Sequence, residues 1–141
     1  FEVINSMPVE NNSWISWCHT TSPNFVRYKE AIAFLEKSED QGKNGLVTVN
    51  TNQDFLLWEN GVPINYQFGP WHKYSQDLPK IYSINGALFT TNKSEYLKNR
   101  YVISSNPVFF ECDKYESIDV DTEYDFNLAS KVIGELNNVK S

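Results

Sequence analysis

Asp119 and Asp121 stand two apart in Ser117-Ile118-Asp119-Val120-Asp121. On an extended chain that spacing turns both carboxylates to one side and Ile118 and Val120 to the other. Such a pair suits Mg²⁺, which takes one or two carboxylates and completes its shell with substrate phosphates and water. Held there, the ion would neutralise charge building on a transferring phosphoryl group. The competing reading makes Asp121 a cap for the following helix and leaves Asp119 solvated. His19, in Cys18-His19-Thr20-Thr21-Ser22-Pro23, follows the first predicted strand, at the strand end where open α/β sheets bind ligands. No Ser/His/Asp or Cys/His spacing accompanies it, so ligand contact is favoured over a role as catalytic base. Asn85-Gly86 sets an amide beside a residue without Cβ, suited to close hydrogen bonding of a polyhydroxylated ligand, with a β-bulge as the structural alternative. The stretch from Tyr74 to Pro79 reads equally as a substrate loop or as an exposed connection.

Hydrophobic periodicity supplies the elements that must position these residues. Trp14 to Cys18 predicts a short strand closed by the loop at Pro23, and Phe25, Tyr28, Ile32 and Leu35 recur at helical spacing. Leu46, Val47 and Val49 then make a second strand, and strand, helix, strand predicts a crossover in a parallel sheet. Two apolar segments flank Glu59-Asn60-Gly61, whose Asn-Gly pair predicts a projecting β-hairpin over 55–66 with positive φ angles at its turn. Further strands are expected at 84–90 and 107–112. Phe126, Ala129, Ile133 and Leu136 mark the apolar face of a closing helix, and Thr122 with Asp125 predicts a capping box at its start.

A chain of 141 residues with 40% apolar and 21% charged content fits a single α/β domain over 1–141. The net charge of −6 argues against nucleic acid as partner. Apolar runs are too short for a membrane span and no leader pattern is evident, so a cytoplasmic location is expected. Cys18 and Cys112 sit in apolar runs with no metal-ligand spacing, which predicts buried reduced thiols. The opening Phe1-Glu2-Val3-Ile4, without a Met, predicts a piece of a longer protein.

Four segments in this order resemble the acylneuraminate cytidylyltransferase family, which includes the CMP-sialic acid synthetases. They are Thr21-Ser22-Pro23, Ser75-Gln76-Asp77-Leu78-Pro79, Asn85-Gly86-Ala87-Leu88-Phe89, and the most specific, Ser117-Ile118-Asp119-Val120-Asp121-Thr122-Glu123-Tyr124-Asp125-Phe126. The resemblance implies a three-layer α/β/α, Rossmann-like nucleotidyltransferase fold with a mostly parallel sheet and an inserted hairpin that serves a homodimer. It implies transfer of CMP from CTP to an acidic sugar, with Mg²⁺ as cofactor and release of pyrophosphate. Asp119 and Asp121 take the metal-carboxylate and catalytic places, and Gln76, Asn85 and Gly86 the sugar side. His19, Thr21 and Ser22 line the same pocket. Tyr74 stands where many relatives carry Arg, and His19 where many carry Gln, so no particular sugar is implied. The family's N-terminal strand and its glycine- and lysine-containing triphosphate loop have no counterpart, which predicts a missing N-terminal segment and an inactive isolated chain.

Two other readings are open at this level. An Asp-x-Asp pair also holds a divalent cation in nucleotide-sugar glycosyltransferases, although there it generally falls mid-domain and here it directly precedes the last predicted helix. Trp14, Trp17, Trp58 and Trp71 would also suit a non-catalytic sugar-binding or dimerisation module.

Overall fold

The computed structural model describes residues 2–139, with side chains described through residue 135. Helix α1 (Glu2–Ser6) precedes strand β1 (Trp14–Trp17), helix α2 (Tyr28–Ser38) and strand β2 (Gly45–Asn52). Strand β3 (Ile81–Asn92), helix α3 (Lys93–Asn99), strand β4 (Val108–Glu111) and helix α4 (Glu123–Val139) complete the chain. The four strands expected outside the hairpin are present, and the one predicted at 84–90 extends at both ends. Single 3-10 turns lie at Glu39–Gln41 and Ser75–Asp77.

The four strands form one sheet in the order β1-β3-β2-β4. β1, β2 and β4 point the same way, while β3 lies between β1 and β2 and runs antiparallel to both. Three strands share a direction, but two of the three pairings are antiparallel, so the sheet is mixed and not the mostly parallel one expected. β1, α2 and β2 do join two like-directed strands through a helix, with β3 inserted between them. Strand alternation supplies two cores. Leu46, Leu88 and Phe110 pack with Phe25, Ala31 and Leu35 on one face, and Val47, Val49 and Phe89 pack with Val102 and Ile103 on the other. Burial on both faces is what a layered α/β domain requires. Cys112 joins the first core, whereas Cys18, predicted buried, is exposed just past the end of the edge strand β1.

The hairpin over 55–66 is present in a looser form than the Asn-Gly pair predicts. Trp58 N–H donates to Val62 O and Gly61 N–H to Trp58 O, each at 2.8 Å, so the loop has three residues and Gly61 carries the positive φ of 81° while Asn60 does not. Pairing is confined to an isolated bridge between Leu57 and Pro63, in keeping with proline's missing N–H. Leu57, Trp58, Val62 and Ile64 are all exposed.

Helix α4 opens on the expected capping box. Thr122 N–H donates to Asp125 Oδ2 at 2.9 Å and Asp125 N–H to Thr122 Oγ1 at 3.3 Å. Thr122 therefore caps the helix, and Asp121 is left outside that role. The buried face differs from the predicted stripe. Ala129 and Val132 are buried, Ile133 is 37% exposed and Phe126 60% exposed, while Leu136 lies outside the residues whose side chains are described. Among the described residues no helix is long and apolar enough to cross a membrane. The two stripes are separable by mutation. Val132→Ala should lower the unfolding free energy in urea by about 2 kcal/mol, and Phe126→Ala by less than about 0.5 kcal/mol. A larger loss at Phe126 would restore the predicted stripe.

Candidate functional site

The carboxyl ends of β1, β2 and β4 lie at one end of the sheet, where contacts link the His19 loop, Asn85-Gly86 and the segment carrying Asp119 and Asp121, while Gln76 lines a cleft that none of these residues lines. The loop after β1 folds on itself, Ser22 N–H donating to His19 O at 3.2 Å and Phe25 N–H to Ser22 O at 3.4 Å. This places the His19 ring over Gly86. A Cβ on Gly86 would lie 2.9 Å from His19 Nδ1, and the Gly86 φ of +76° lies in the left-handed region. The bulge reading of Gly86 therefore holds, and the close neighbour that its missing Cβ admits is the protein's own His19 ring.

Val120 N–H donates to Thr21 O at 2.8 Å, tying the extended segment that carries the paired carboxylates to the same loop. Burial along that segment alternates as expected, Ile118 and Val120 half-buried, Asp119 and Asp121 exposed. Neither carboxylate has a side-chain partner among the described residues. No group of three or more potential metal ligands occurs among those residues either. Two free carboxylates suit an ion that draws its remaining ligands from phosphate and water, and do not suit an all-protein cage. Ser22 and Asn24, beneath the same loop, are buried, and their side-chain polar atoms are unpaired. A ligand oxygen or an ordered water reaching them would relieve a substantial desolvation cost.

A cleft of about 640 Å³ opens beside this group, lined from β2 by Asn50 and Thr51, from the 3-10 turn by Ser75 and Gln76, and after β4 by Asp113 and Lys114. Its size is that of a small-ligand pocket, with an unusually polar lining. Gln53 Nε2 donates to Leu78 O at 3.1 Å and so fixes the loop that presents Gln76. Asn85 joins the cleft to the carboxylate segment. Its Nδ2 donates to Asn50 Oδ1 at 2.6 Å and to Ser117 Oγ at 3.3 Å, and its Oδ1 accepts from Ala87 N–H at 3.1 Å. Most of its hydrogen-bonding capacity is thus spent inside the protein, leaving one Oδ1 lone pair for a ligand.

Arg27 braces the turn that leads to Ser117. It bonds both Glu30 oxygens, donates from Nη1 to Glu116 Oε2 at 3.1 Å and lies 4.6 Å above the Phe110 ring. The hydrogen bonds with Glu30 raise the guanidinium's pKa and hold the Glu30 carboxyl below the usual carboxylate range. Burial pushes the Cys112 thiol up to about 11, which makes it an unreactive packing group. Asn50 and Ser117 emerge as site residues only in three dimensions. A polar residue ending an apolar strand was the available signal for Asn50.

No family model matches the chain. It is 32% identical over 99 residues to the N-acylneuraminate cytidylyltransferase of Streptococcus agalactiae serotype III (strain NEM316), a match covering 70% of this chain and 22% of that protein. The enzyme of the same name from Escherichia coli O18:K1:H7 (strain RS218 / NMEC) is 31% identical over 70 residues, or 50% of this chain and 17% of that one. The chain is related in sequence to the N-acylneuraminate cytidylyltransferases. It spans about a fifth of the length of the curated relatives it matches. In structure it is similar to 4-diphosphocytidyl-2C-methyl-D-erythritol synthase from Anaerococcus prevotii DSM 20548, with a TM-score of 0.56 at 10% identity over 94% of this chain and 64% of that one. That likeness identifies the nucleotidyltransferase fold.

The contact between His19 and Gly86 makes a direct test of the site's geometry. Gly86→Ala should cost about 2 kcal/mol or more, from left-handed strain plus the clash with the ring. In a His19→Ala background the clash is gone, so the cost should fall by about 0.5–1 kcal/mol in a double-mutant cycle measured by urea unfolding. Strict additivity would show that the ring does not rest on Gly86.

Proposed function

We propose that this chain forms the acceptor-sugar side of a cytidylyltransferase that moves CMP from CTP to the anomeric hydroxyl of an acidic, sialic-acid-like sugar. The hydroxyl oxygen bonds to the α-phosphorus, the bond to the β-phosphate oxygen breaks, pyrophosphate leaves and the hydroxyl proton passes to solvent. The observation that carries the reading is the Val120 to Thr21 hydrogen bond, which sets Asp119 and Asp121 beside the His19 loop in a chain related to enzymes named for this activity.

Each residue has a defined part in this reading. Asp119 and Asp121 hold Mg²⁺, which when bound neutralises charge on the nucleotide phosphates. Gln76 offers a free amide to sugar hydroxyls from the cleft wall, and Asn85 acts mainly by holding Asn50 and Ser117 in place. His19, Thr21 and Ser22 line the side next to the metal, and Gly86 leaves room for the His19 ring. With little covalent chemistry assigned to side chains, the rate gain comes from positioning and charge neutralisation. Among the described residues no glycine-containing turn leads from a strand into a helix N-terminus, the usual cradle for phosphates. We therefore assign the triphosphate to sequence outside this chain, and we place the enzyme in the cytoplasm, in keeping with two free thiols.

Pyrophosphate release tests the assignment. In an enzyme that includes the N-terminal segment, Asp119→Asn or Asp121→Asn should lower turnover with CTP and Mg²⁺ at least tenfold, about 1.4 kcal/mol of transition-state stabilisation. The 141-residue chain alone should release none above background. Wild-type turnover by both variants at limiting Mg²⁺ removes the metal role, and turnover by the chain alone removes the assignment of the phosphates elsewhere.

The exposed apolar side chains of hairpin 55–66 lead us to propose a homodimer built on that element. Replacing Leu57 and Trp58 together by Asp should shift the sedimenting species from dimer to monomer. An unchanged mass rules out this surface as the interface.

A further inference from the structure

The acidic side chains lining the cleft are Asp54, Glu111 and Asp113, and two of the three are already committed. Glu111 Oε1 accepts from the Tyr82 hydroxyl at 2.8 Å, and its Oε2 accepts from Thr51 Oγ1 at 2.7 Å with Lys80 Nζ at 3.7 Å. These hydrogen bonds, that of Thr51 first, hold the Glu111 carboxyl below the usual carboxylate range. Asp113 Oδ1 accepts from the Tyr115 N–H at 2.7 Å and the Glu116 N–H at 2.8 Å, which closes the turn after β4.

Lys114 lies on that same turn and lines the cleft. Its ammonium has no hydrogen bond or ion pair with any described residue, whereas Lys80 is spent on Glu111. Fixing Asp113 by two backbone N–H groups also fixes the backbone from which Lys114 projects. The wall after β2 and the 3-10 turn carries Gln76, which is uncommitted, and Asn50, whose Nδ2 is free although its Oδ1 is taken by Asn85. A carboxylate entering this cleft meets repulsion from Asp54, Glu111 and Asp113, and among the lining residues Lys114 is the cation that can attract it.

We propose that Lys114 is the specificity-determining residue of the cleft, pairing its ammonium with the carboxylate of an acidic sugar while Gln76 and Asn50 bond the sugar's hydroxyls. This rests on the reading that the cleft takes a sialic-acid-like acceptor, and it goes beyond that reading by fixing the orientation of the ligand, carboxylate toward the turn after β4 and hydroxyls toward β2.

The test uses the 141-residue chain, N-acetylneuraminate and the methyl ester of that sugar, with dissociation constants from ligand-observed NMR titration. Wild type should bind the acid more tightly than the ester. Lys114→Ala should weaken the acid about fivefold, the scale of one partly screened charge pair, and leave the ester unchanged, while Lys114→Arg keeps the preference for the acid. Gln76→Ala should weaken acid and ester alike, which reports the cleft itself. Acid and ester binding equally to wild type, or an acid preference that survives Lys114→Ala, overturns the role of Lys114 and leaves the sugar site standing. Binding of neither ligand overturns both readings.

Discussion

Everything at the site depends on the place where β3 leaves its ladder with β2. The register passes from Val47 opposite Phe89 to Val49 opposite Ile84, so two steps along β2 correspond to five along β3. The extra residues are tolerated because their backbone groups find other partners. Thr48 Oγ1 accepts from Leu88 N–H at 2.9 Å and donates to Leu88 O at 3.1 Å, and Asn85 Oδ1 takes the Ala87 N–H. Gly86 makes the bend with a left-handed φ. The extruded segment then has two uses: it offers the His19 ring a surface without Cβ, and it delivers Asn85 to Asn50 and Ser117. A straight strand would supply neither.

A second constraint is electrostatic. Glu116 is buried, and a carboxylate in that position is costly unless paired and hydrogen-bonded. Arg27 and the Asp113 N–H both serve Glu116 Oε2, so the start of α2 is fastened to the turn between β4 and the carboxylate segment. That turn ends at Ser117, which bonds Asp113 O and accepts from Asn85. Bulge and ion pair therefore converge on the residue immediately before Ile118. The position of Asp119 and Asp121 is set from that side by Ser117 and from the other by Val120 bonding to Thr21.

The strands were legible because β-branched and aromatic runs are bounded by turn residues, and the capping box because Thr122 and Asp125 keep the spacing of one helical turn. The paired carboxylates were legible for the same kind of reason, since alternation along an extended segment is a local property. Strand direction was not, because an alternating or apolar run has the same period whichever way it points, and β3 is antiparallel. The docked face of α4 was misjudged because Phe126 and Val132 are both apolar, and only neighbouring elements decide which of two overlapping stripes is covered. Asn50 and Lys114 come from strand ends far apart in sequence, and their convergence on the cleft is a consequence of β2 and β4 being parallel neighbours. The spent amide of Asn85 was invisible for the same reason, since its partners are 35 and 32 residues away.

The part of the cleft that carries Gln76 is held differently from the rest. It is the returning end of the segment that contains the hairpin, and that segment is organised by its own edge-to-face aromatic pairs, Phe55 with Tyr66 and with His72, and Tyr66 with Phe68. Its attachment to the sheet at this end is the buried Leu78 and the Gln53 hydrogen bond to Leu78 O. The wall formed by Asn50, Asp113 and Lys114 belongs to strand ends fixed by the sheet ladder, whereas the Gln76 wall inherits whatever order the hairpin segment has. A surface that covers Leu57, Trp58 and Ile64 would reduce the freedom of that segment and so of the Gln76 loop. On the proposed homodimer, assembly on the hairpin and ligand binding in the cleft would be coupled through the chain between Ile64 and Leu78, and by linkage each would favour the other.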